Sequence, residues 1–523
     1  MNKHLLSFLA LLCAGLFASV AVQAKPARNP IIWADVPDLA IIRVGGTYYM
    51  SSTTMHMSPG LPIMKSKDLV NWQLISYAYD TLADNDALTL HNGRNAYGAG
   101  SWASSLRHHD ETFYVSTFSR TTGKTHVYTT KDIETGPWTE SSFAPALHDH
   151  SLFFEDGRVY MVYGAGDIRL TELTADASAI KPGGVDQVII HNASLVAGPN
   201  VGLRAEGSHL RKINDKYYLF NITWPRNDMR TQIVHRADKI TGPYEGKVVL
   251  KDQGVAQGGL IDTPEGDWYA LLFQDHGAVG RIPFLVPVKW QDGWPVLGVD
   301  GKVPETLSIP AGEGSISGIV ASDEFDRRPD QPALPLVWQW NHNPDNKYWS
   351  LTAHPGYLRL TTGRVDTDLL KARNTLTQRT FGPESSATTV IDVTNMKDGD
   401  LAGLTVLQKN YGLVGVQMVG NAKSIVMVSA KPGSPVEVQS VPLTQRIAFL
   451  KVDCDFKNRV DKAYFYYGLD GKNWTAIGKP LQMVYTLPHF MGYRFGLFNF
   501  ATKTAGGFVD LDFFRVSDEI TSE

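Results

Sequence analysis

The sequence predicts an all-β protein: a five-bladed β-propeller followed by a lectin-like (concanavalin-like) β-sandwich. The propeller is predicted from five short segments, most of them behind a Gly or Asp turn, in which an aromatic or β-branched residue precedes a tyrosine. These tyrosines are Tyr49, Tyr114, Tyr160, Tyr218 and Tyr269. Neighbouring members are 46 to 65 residues apart, which is the length of one four-stranded blade. Tyrosine-rich strands recur in any all-β protein, but five copies behind turns favour the propeller.

The second domain is predicted from the alternation of apolar and polar residues. Segments 357–361, 463–467 and 494–498 alternate in this way, which is typical of strands in a jelly-roll or lectin-like sandwich. No stretch after residue 24 has helical periodicity over several turns. Small residues at 310–318 indicate a linker. We therefore place the propeller at residues 25–304, the linker at 305–320 and the sandwich at 321–519.

The first 24 residues have the pattern of an export signal. Lys3 and His4 precede an apolar stretch at 5–22, and residues 22–24 fit a small-residue cleavage site. A membrane anchor is the alternative, but polar and glycine interruptions and the alanine-rich end favour cleavage. We expect an exported protein, periplasmic or secreted, with no membrane association in its mature form. Cys454 would be its one cysteine, so no intrachain disulfide could form.

Composition narrows the classes of partner. The formal net charge of the 523 residues is −4 and no long basic run occurs, so we expect no nucleic acid partner. The 12 tryptophans and 21 tyrosines often lie beside polar residues. That arrangement is typical of sugar-stacking sites, although aromatic β-cores have the same composition. The oligomeric state stays open.

Three acidic residues stand at or near the starts of apolar strands in different predicted blades: Asp38, Asp149 and Glu206. The innermost strands of a propeller start near its central channel, so these acids should converge there. Glycoside hydrolysis needs one carboxylic acid to protonate the leaving oxygen and one carboxylate to activate water or attack. A third carboxylate can raise the pKa of the acid by like-charge repulsion. Any one of them alone would be interpreted as a turn former or a solvated charge.

The order of motifs around these acids resembles glycoside hydrolase family 43, a family of five-bladed propeller glycosidases. The motifs are Asn29-Pro30 followed by Pro37-Asp38, then Asp149-His-Ser-Leu-Phe153, then Ala205-Glu-Gly-Ser-His-Leu210. The C-terminal region resembles the β-sandwich of the family's β-xylosidase branch, so the resemblance covers nearly all of the chain after residue 24. It implies that Asp38 is the general base, that Glu206 is the general acid, and that Asp149 tunes the pKa of the acid and orients it.

The resemblance also implies substrate-binding residues and two departures. The substrate-binding set comprises Arg281, Trp102, Trp33, Thr53 and His276. Thr53 belongs to a segment similar to the family's pocket-rim loop, for which a plain surface loop is the alternative. Leu39-Ala40 replaces the family's Pro-Ser after the base. Gln257 replaces a histidine that helps to bind a channel ion or water in many members, so a channel metal stays open and His276 becomes an alternative polar group.

Other polar residues are weaker candidates. Asp35 ranks second to Asp38 as the base because it lacks the preceding proline. His148 and His150 flank Asp149, but on a strand the two histidines share one face and Asp149 takes the other, which argues against a metal there. Asp323 and Asp512, at the first and last turns of the sandwich, predict a structural Ca²⁺ site. Simple turn carboxylates are the alternative.

The resulting hypothesis is an exo-acting, inverting glycosidase that releases xylose from the non-reducing ends of xylooligosaccharides. Its substrates would be xylooligosaccharides or oligosaccharides derived from arabinoxylan, and its chemistry would require no cofactor. The alternative is α-L-arabinofuranosidase activity, alone or combined with the first. A non-catalytic carbohydrate-binding protein is a third alternative, against which three converging acids argue. A fructan-cleaving enzyme is weaker because its Asn-Asp-Pro motif is missing near the N-terminus. Aromatic residues of the final strands at 496–500 should press on the pocket rim.

Overall fold

The computed structural model describes residues 25–311, 318–328, 334–431 and 434–521. The predicted export signal lies outside the described residues. Strands dominate the described part, and four 3₁₀ turns accompany them: Ala193–Ala197, Gly277–Val279, Leu369–Lys371 and Lys457–Arg459. No helix in these ranges has both the length and the apolar character needed to cross a membrane.

The first half of the chain forms five four-stranded antiparallel sheets. Strand β1 (Pro26–Arg28) precedes them. Blade I contains β2 (Ala40–Val44), β3 (Thr47–Ser51), β5 (Gly60–Ser66) and β6 (Gln73–Tyr79), and the short β4 (Met57–Ser58) leaves it between β3 and β5. Blade II contains β7 (Ser104–His109), β8 (Thr112–Ser119), β9 (Lys124–Thr130) and β10 (Thr139–Phe143). Blade III contains β11 (Ser151–Glu155), β12 (Arg158–Tyr163), β13 (Ile168–Leu173) and β14 (Asp186–Ile190).

Blade IV contains β15 (Val201–Ile213), β16 (Lys216–Pro225), β17 (Thr231–Ala237) and β18 (Glu245–Leu250). Blade V contains β19 (Ala256–Asp262), β20 (Trp268–Asp275), β21 (Arg281–Gln291) and β22 (Trp294–Leu297). The innermost strands β2, β7, β11, β15 and β19 contact one another in cyclic order, with β19 beside β2. The five-bladed propeller is therefore confirmed. All five tyrosines of the repeated pattern lie on the second strand of their blade, next to the innermost one.

The second half forms two sheets packed face to face. After β23 (Thr306–Pro310), the strands are β24 (Gln339–Asn341), β25 (Trp349–Ser350), β26 (Leu358–Thr361), β27 (Leu376–Arg379), β28 (Glu384–Asp392), β29 (Asp400–Leu407), β30 (Gly412–Val419), β31 (Ala422–Lys431), β32 (Ser434–Leu443), β33 (Ile447–Asp455), β34 (Lys462–Gly468), β35 (Thr475–Ala476), β36 (Leu481–Gln482), β37 (Arg494–Ala501) and β38 (Phe508–Ser517). One sheet has the order β32-β31-β30-β29-β37-β27-β24-β4. The other has the order β25-β26-β38-β28-β33-β34-β35, with β36 beside β34.

The propeller and the sandwich are joined by three sets of contacts. Strand β4 of the propeller is the edge strand of a sandwich sheet, where Ser58 pairs with Trp340 and Met57 with Asn341. One hydrophobic core runs from blade V into the sandwich, and it includes both Phe284 and Phe495. Both described ends of the predicted linker contact the propeller, because β23 pairs with β1 and residues 319–320 bury their side chains with blade I. The sandwich is thus a fixed part of the structure around the propeller.

Candidate active site

The three predicted acids lie at one end of the channel. Asp38 and Asp149 occupy the loops that enter β2 and β11, and both adopt left-handed backbone conformations with φ of 50° and 47°. Glu206 lies within β15, where the register shifts on both sides of it. Asp38 and Asp149 are only 5% and 6% exposed. Because the innermost strands enter the channel from the same end, the three carboxyl groups face one another across it, as the sequence predicted.

The Asp38 carboxylate is held by two donors. Arg281 Nη1 donates to both of its oxygens at 2.9 Å, and Gln257 Nε2 donates to Oδ1 at 3.0 Å. Burial raises the pKa of Asp38, and the charge and hydrogen bond of Arg281 oppose that rise. Asp38 is therefore a fixed carboxylate with its charge balanced locally. Gln257, where the resembled family often has a histidine, serves here as a donor to Asp38.

Asp35 supports this arrangement from outside the channel. Its Oδ1 accepts a hydrogen bond from the backbone N–H of Arg281 at 2.7 Å, and its Oδ2 accepts one from Gly492 at 3.1 Å. Gly280, with φ 101°, must be glycine here, because a Cβ would lie 2.2 Å from Asp35 Oδ1. Asp35 thus orients the Arg281 backbone and ties it to the sandwich. This placement agrees with its second rank as a base.

Asp149 and Glu206 form a close acidic pair whose nearest oxygens lie within 4.8 Å. Asp149 Oδ2 accepts from the backbone N–H of Gly207 at 3.1 Å, which ties the two strand starts together. Burial raises the pKa of Asp149 to about 7; His148 opposes this rise, and the charge of Glu206 adds to it. Asp149 is therefore about half protonated at pH 7, directly beside Glu206.

His148 belongs to the same cluster. Its Nε2 lies 3.0 Å from Glu206 Oε2 and 3.8 Å from Asp149 Oδ2. Burial lowers the pKa of His148, but the charge of Asp149 and the hydrogen bond and charge of Glu206 outweigh burial, so the pKa is raised. The expectation that His148 and Asp149 point to opposite faces is wrong, because the left-handed φ at Asp149 breaks the strand alternation. His150 turns away and bonds to Ser116 Oγ at 2.8 Å.

These three groups also have the composition of a metal site. Within the described ranges, His148, Asp149 and Glu206 are the one group of three histidine or acidic side chains whose ligand atoms lie close enough to hold an ion. The polar groups of the cluster already contact one another, because His148 Nε2 is hydrogen-bonded to Glu206 and Asp149 has a pKa of about 7. We interpret the cluster as a proton-sharing network around the acid.

Aromatic side chains from both domains form one wall of the site. The Trp102 ring lies edge-to-face against Phe490 at 4.9 Å, and the Arg120 guanidinium lies 5.2 Å from its centre. Phe490 belongs to a sandwich loop, and its carbonyl oxygen accepts a hydrogen bond from Arg281 Nη2 at 2.9 Å. The sandwich therefore helps to shape the pocket, as predicted, but through Phe490. The prediction for the strand at 496–500 is wrong, because Phe498 and Phe500 pack inside the sandwich.

The structure corrects the role of Thr53 and does not place His276 or Trp33 against the acids. Thr53 is fully buried; its hydroxyl donates to Ser101 O at 2.8 Å and accepts from Met55 N at 3.0 Å, so it shapes the rim loop without reaching a ligand. The Trp33 and His276 rings meet edge-to-face at 4.9 Å. His276 Nδ1 bonds Gln274, and burial lowers the pKa of His276 to about 4.

The predicted calcium pair, Asp323 and Asp512, stays a prediction, and the structure shows that Asp323 already has several donors. The Asp323 carboxylate accepts hydrogen bonds from Trp338 Nε1 at 2.8 Å, from Phe325 N at 2.8 Å and from Arg327. A cation would have to displace these donors. Burial and then the charge of Glu324 raise the pKa of Asp512. The acidic neighbour that affects Asp512 is thus Glu324.

Sequence reasoning missed the roles of four residues at this site. His148 was considered only as a metal ligand, and the Gln257 donor was noted only as a departure. Phe490 and Arg120 carry no motif. An aromatic residue following Pro-His in a sandwich loop gives no local signal, because its function depends on how the domains dock. For His148, the proximity to Asp149 was the available signal.

The fold and the acidic site define a glycoside hydrolase, and the comparisons with known proteins agree. The profile "Glycosyl hydrolases family 43" matches residues 27–295, and the profile "Beta xylosidase C-terminal Concanavalin A-like domain" matches residues 322–517. The chain belongs to glycoside hydrolase family 43 and is a glycosidase of that family.

Three similar proteins illustrate the range of the family. A beta-xylosidase of Formosa agariphila is 30% identical over 93% of this chain and 89% of its own. A non-reducing end alpha-L-arabinofuranosidase of Bacteroides ovatus is 31% identical over 69% of each chain. The solved structure of a bifunctional GH43-CE protein of Bacteroides eggerthii is 60% identical, with a TM-score of 0.94 over 95% of this chain. The present chain spans 64% of that longer protein.

Proposed function

We propose that this protein is an exo-acting β-xylosidase that releases xylose from the non-reducing ends of xylooligosaccharides. The observation that carries the proposal is the arrangement of carboxyl groups: Asp38 is fixed by Arg281, and the close pair of Asp149 and Glu206 faces it across the channel. The wall from Trp102 and Phe490 supports an enclosed pocket suited to a chain end. The name of the Formosa relative supports the choice of xylose.

In the proposed reaction, Glu206 donates a proton to the leaving glycosidic oxygen. Asp149, with its pKa near 7, lies against Glu206 and keeps a proton available to the pair. His148 fixes the orientation of Glu206 through its hydrogen bond at 3.0 Å. Asp38 removes a proton from the attacking water, and Arg281 and Gln257 hold its oxygens in position.

We propose that this reaction inverts the anomeric centre. Inversion requires room for a water between the base and the sugar, which corresponds to carboxyl groups about 6.5–9.5 Å apart. Asp38 enters from blade I and Glu206 from blade IV, so they lie across the channel. Asp38 also forms an ion pair with Arg281, whose charge favours the ionised form that a general base needs. The close partner of Glu206 is Asp149, whose pKa of about 7 leaves it partly protonated near neutral pH and so a weaker nucleophile than an ordinary carboxylate.

α-L-Arabinofuranosidase activity is the second candidate. It is favoured by the Bacteroides ovatus relative, whose name gives that activity. An enclosed pocket with one fixed base and one acid network can accept either pentose, since the two sugars present similar hydroxyl groups. We infer that both activities draw on Asp38 and Glu206.

The test is a panel of nitrophenyl glycosides, together with xylobiose as a natural substrate. We expect the β-D-xylopyranoside to have the highest kcat/KM and xylobiose to yield xylose. Asp38→Asn should lower turnover on every substrate by about 10²- to 10⁴-fold. Glu245→Gln, on an exposed outer strand of blade IV, is the matched control and should act like the unchanged protein. A preference for the arabinofuranoside would reverse the two candidates, and no turnover on any glycoside would refute both.

We also propose that the chain is exported, because residues 1–24 have the pattern of a cleaved signal. N-terminal sequencing of the mature protein from its native host tests this: cleavage after residue 24 supports export, and an intact Met1 contradicts it. A structural calcium ion is left out of the proposal, because the Asp323 oxygens already accept donors from Arg327 and Trp338.

A further inference from the structure

The channel has a second opening at the end opposite the acids. There the last residues of all five innermost strands surround a cavity of about 300 Å³. Arg43 lies on β2, Arg107 on β7, Arg211 on β15, and Asp262 ends β19. Five residues separate Asp38 from Arg43, and at about 3.3 Å per residue the cavity lies roughly 15 Å from the catalytic carboxyl groups. It is therefore a separate site.

Positive charge exceeds negative charge around this cavity. Arg43 forms an ion pair with Asp262, and Lys212 forms one with Glu155 at 2.7 Å. Arg107 and Arg211 have no carboxylate partner within ion-pair distance among the described residues. The two guanidinium groups thus line one small cavity without an ion pair of their own, although the charge of Asp262, which is paired with Arg43, partly offsets the effect of burial on Arg211.

The hydrogen bonds of these two arginines go to neutral oxygens. Arg107 donates to Leu106 O at 2.7 Å, to Ser151 Oγ at 2.7 Å and to Leu210 O at 3.1 Å. Arg211 donates to Ile41 O at 3.0 Å. Each arginine therefore bonds to at least one other blade. A guanidinium has five N–H donors, so both retain donors that can face the cavity.

The pKa values of both arginines, Arg107 and Arg211, are lowered. Burial, together with the charge of Arg211, lowers the pKa of Arg107 to about 9. Burial also lowers the pKa of Arg211. The same two charges, after burial, hold the pKa of the neighbouring His209 at about 3. Like charges in a partly buried cavity repel, and an anion between them would remove that repulsion and provide charge-assisted acceptors.

We propose that this cavity binds a small oxyanion, of the phosphate or carboxylate class, between Arg107 and Arg211. The planar fork of a guanidinium matches two oxygens of such an anion, which a spherical halide cannot reproduce. The cavity has room for one small anion and several waters at about 30 Å³ each. Because Arg107 and Arg211 bond to blades III, IV and I, the bound anion joins blades around the channel and stabilises the ring.

The experiment is a titration of the full chain with sodium phosphate at constant ionic strength, with thermal unfolding and calorimetry as readouts. Sodium glucuronate is a second arm that separates a carboxylate from phosphate, and chloride supplies the ionic background. We expect a saturable rise in Tm with at least one oxyanion. Arg107→Met and Arg211→Met should each weaken binding by 10-fold or more. Arg94→Met removes an exposed arginine elsewhere and should bind like the unchanged protein.

Steady-state kinetics tests the location of the bound anion. Phosphate should not compete with substrate in steady-state kinetics, since the catalytic pocket lies at the other channel end. The proposal is overturned if neither oxyanion gives a saturable shift, if all three variants bind equally, or if the anion competes with substrate. Should Arg107→Met not fold, Arg107→Lys with Arg211→Met decides the matter. These readouts do not depend on which glycoside the enzyme cleaves.

Discussion

Replacing Asp149 with asparagine should stabilise the protein at alkaline pH while lowering its activity. In the folded protein the pKa of Asp149 is about 7, against an ordinary value of 3.8, with burial as the first cause. Below about pH 4 the group is protonated in both the folded and unfolded states, so folding carries no penalty. As pH rises towards 7, the unfolded chain ionises and the folded site resists, so stability is lost. Above pH 7 the whole penalty is present.

The size of the effect follows from that difference. A rise of about three pH units, at 1.36 kcal/mol each, gives a penalty of about 4 kcal/mol at most. Asparagine is neutral and keeps an oxygen for the Gly207 N–H, but it places an amide NH₂ near His148 and Glu206. Allowing about 1–3 kcal/mol for imperfect polar contacts, we expect a net gain of roughly 1–3 kcal/mol at pH 8. At pH 4 there is no ionisation penalty to remove, so we expect a net loss of about 1–3 kcal/mol.

The assay is guanidinium unfolding followed by tryptophan fluorescence at pH 4, 6 and 8. Asp510→Asn is the control of opposite sign. Burial raises the pKa of Asp510, but its bonds from Arg359 at 2.7 and 2.8 Å and from His354 outweigh burial and lower it. That variant should lose stability at pH 6 and 8. If Asp149→Asn is destabilised equally at all three pH values, Asp149 is not a strained acid and the proton-sharing interpretation fails.

Three other changes test separate parts of the account. In a series of aryl glycosides with different leaving groups, Glu206→Gln should slow hydrolysis by about 10²–10⁴-fold where the leaving group is poor and far less where it is activated. An equal loss on both kinds of substrate would show that Glu206 is not the acid. Phe490→Ala should raise KM more than it lowers kcat, because Phe490 walls the pocket beside Trp102 without touching the acids; an unchanged KM would contradict this. Residues 25–304 expressed alone should be insoluble or inactive, since the core continues into the sandwich; a soluble, active fragment in a turnover assay would refute it.

Features that depend on local sequence were predictable. The five tyrosine segments identify the second strand of each blade because strand and turn signals act over a few residues. The three acids were found because they stand at or near the ends of innermost strands in different blades, and propeller topology brings these strands together around the channel. The ranking of Asp35 below Asp38 stays a prediction; in the structure Asp35 accepts a hydrogen bond from the Arg281 backbone.

Features that depend on backbone exceptions or domain docking were not predictable. The direction of His148 was missed because the left-handed φ of Asp149 overrides strand alternation. Thr53 was assigned to substrate binding, but docking of the neighbouring loop buries its hydroxyl against Ser101. Phe490 reaches the pocket only because the sandwich packs on the propeller. In each case the deciding contact joins residues that are distant in the sequence or depends on a rare conformation.

The anomer of the first product tests the central claim most directly. In the proposed reaction Asp38, held by two hydrogen bonds from Arg281, activates water across the channel from Glu206. Proton NMR at early times on a β-xyloside should therefore show α-xylose first, before mutarotation. The appearance of β-xylose first, or of a methyl xyloside when methanol is present, would show a covalent intermediate and contradict the roles assigned to Asp38 and Glu206.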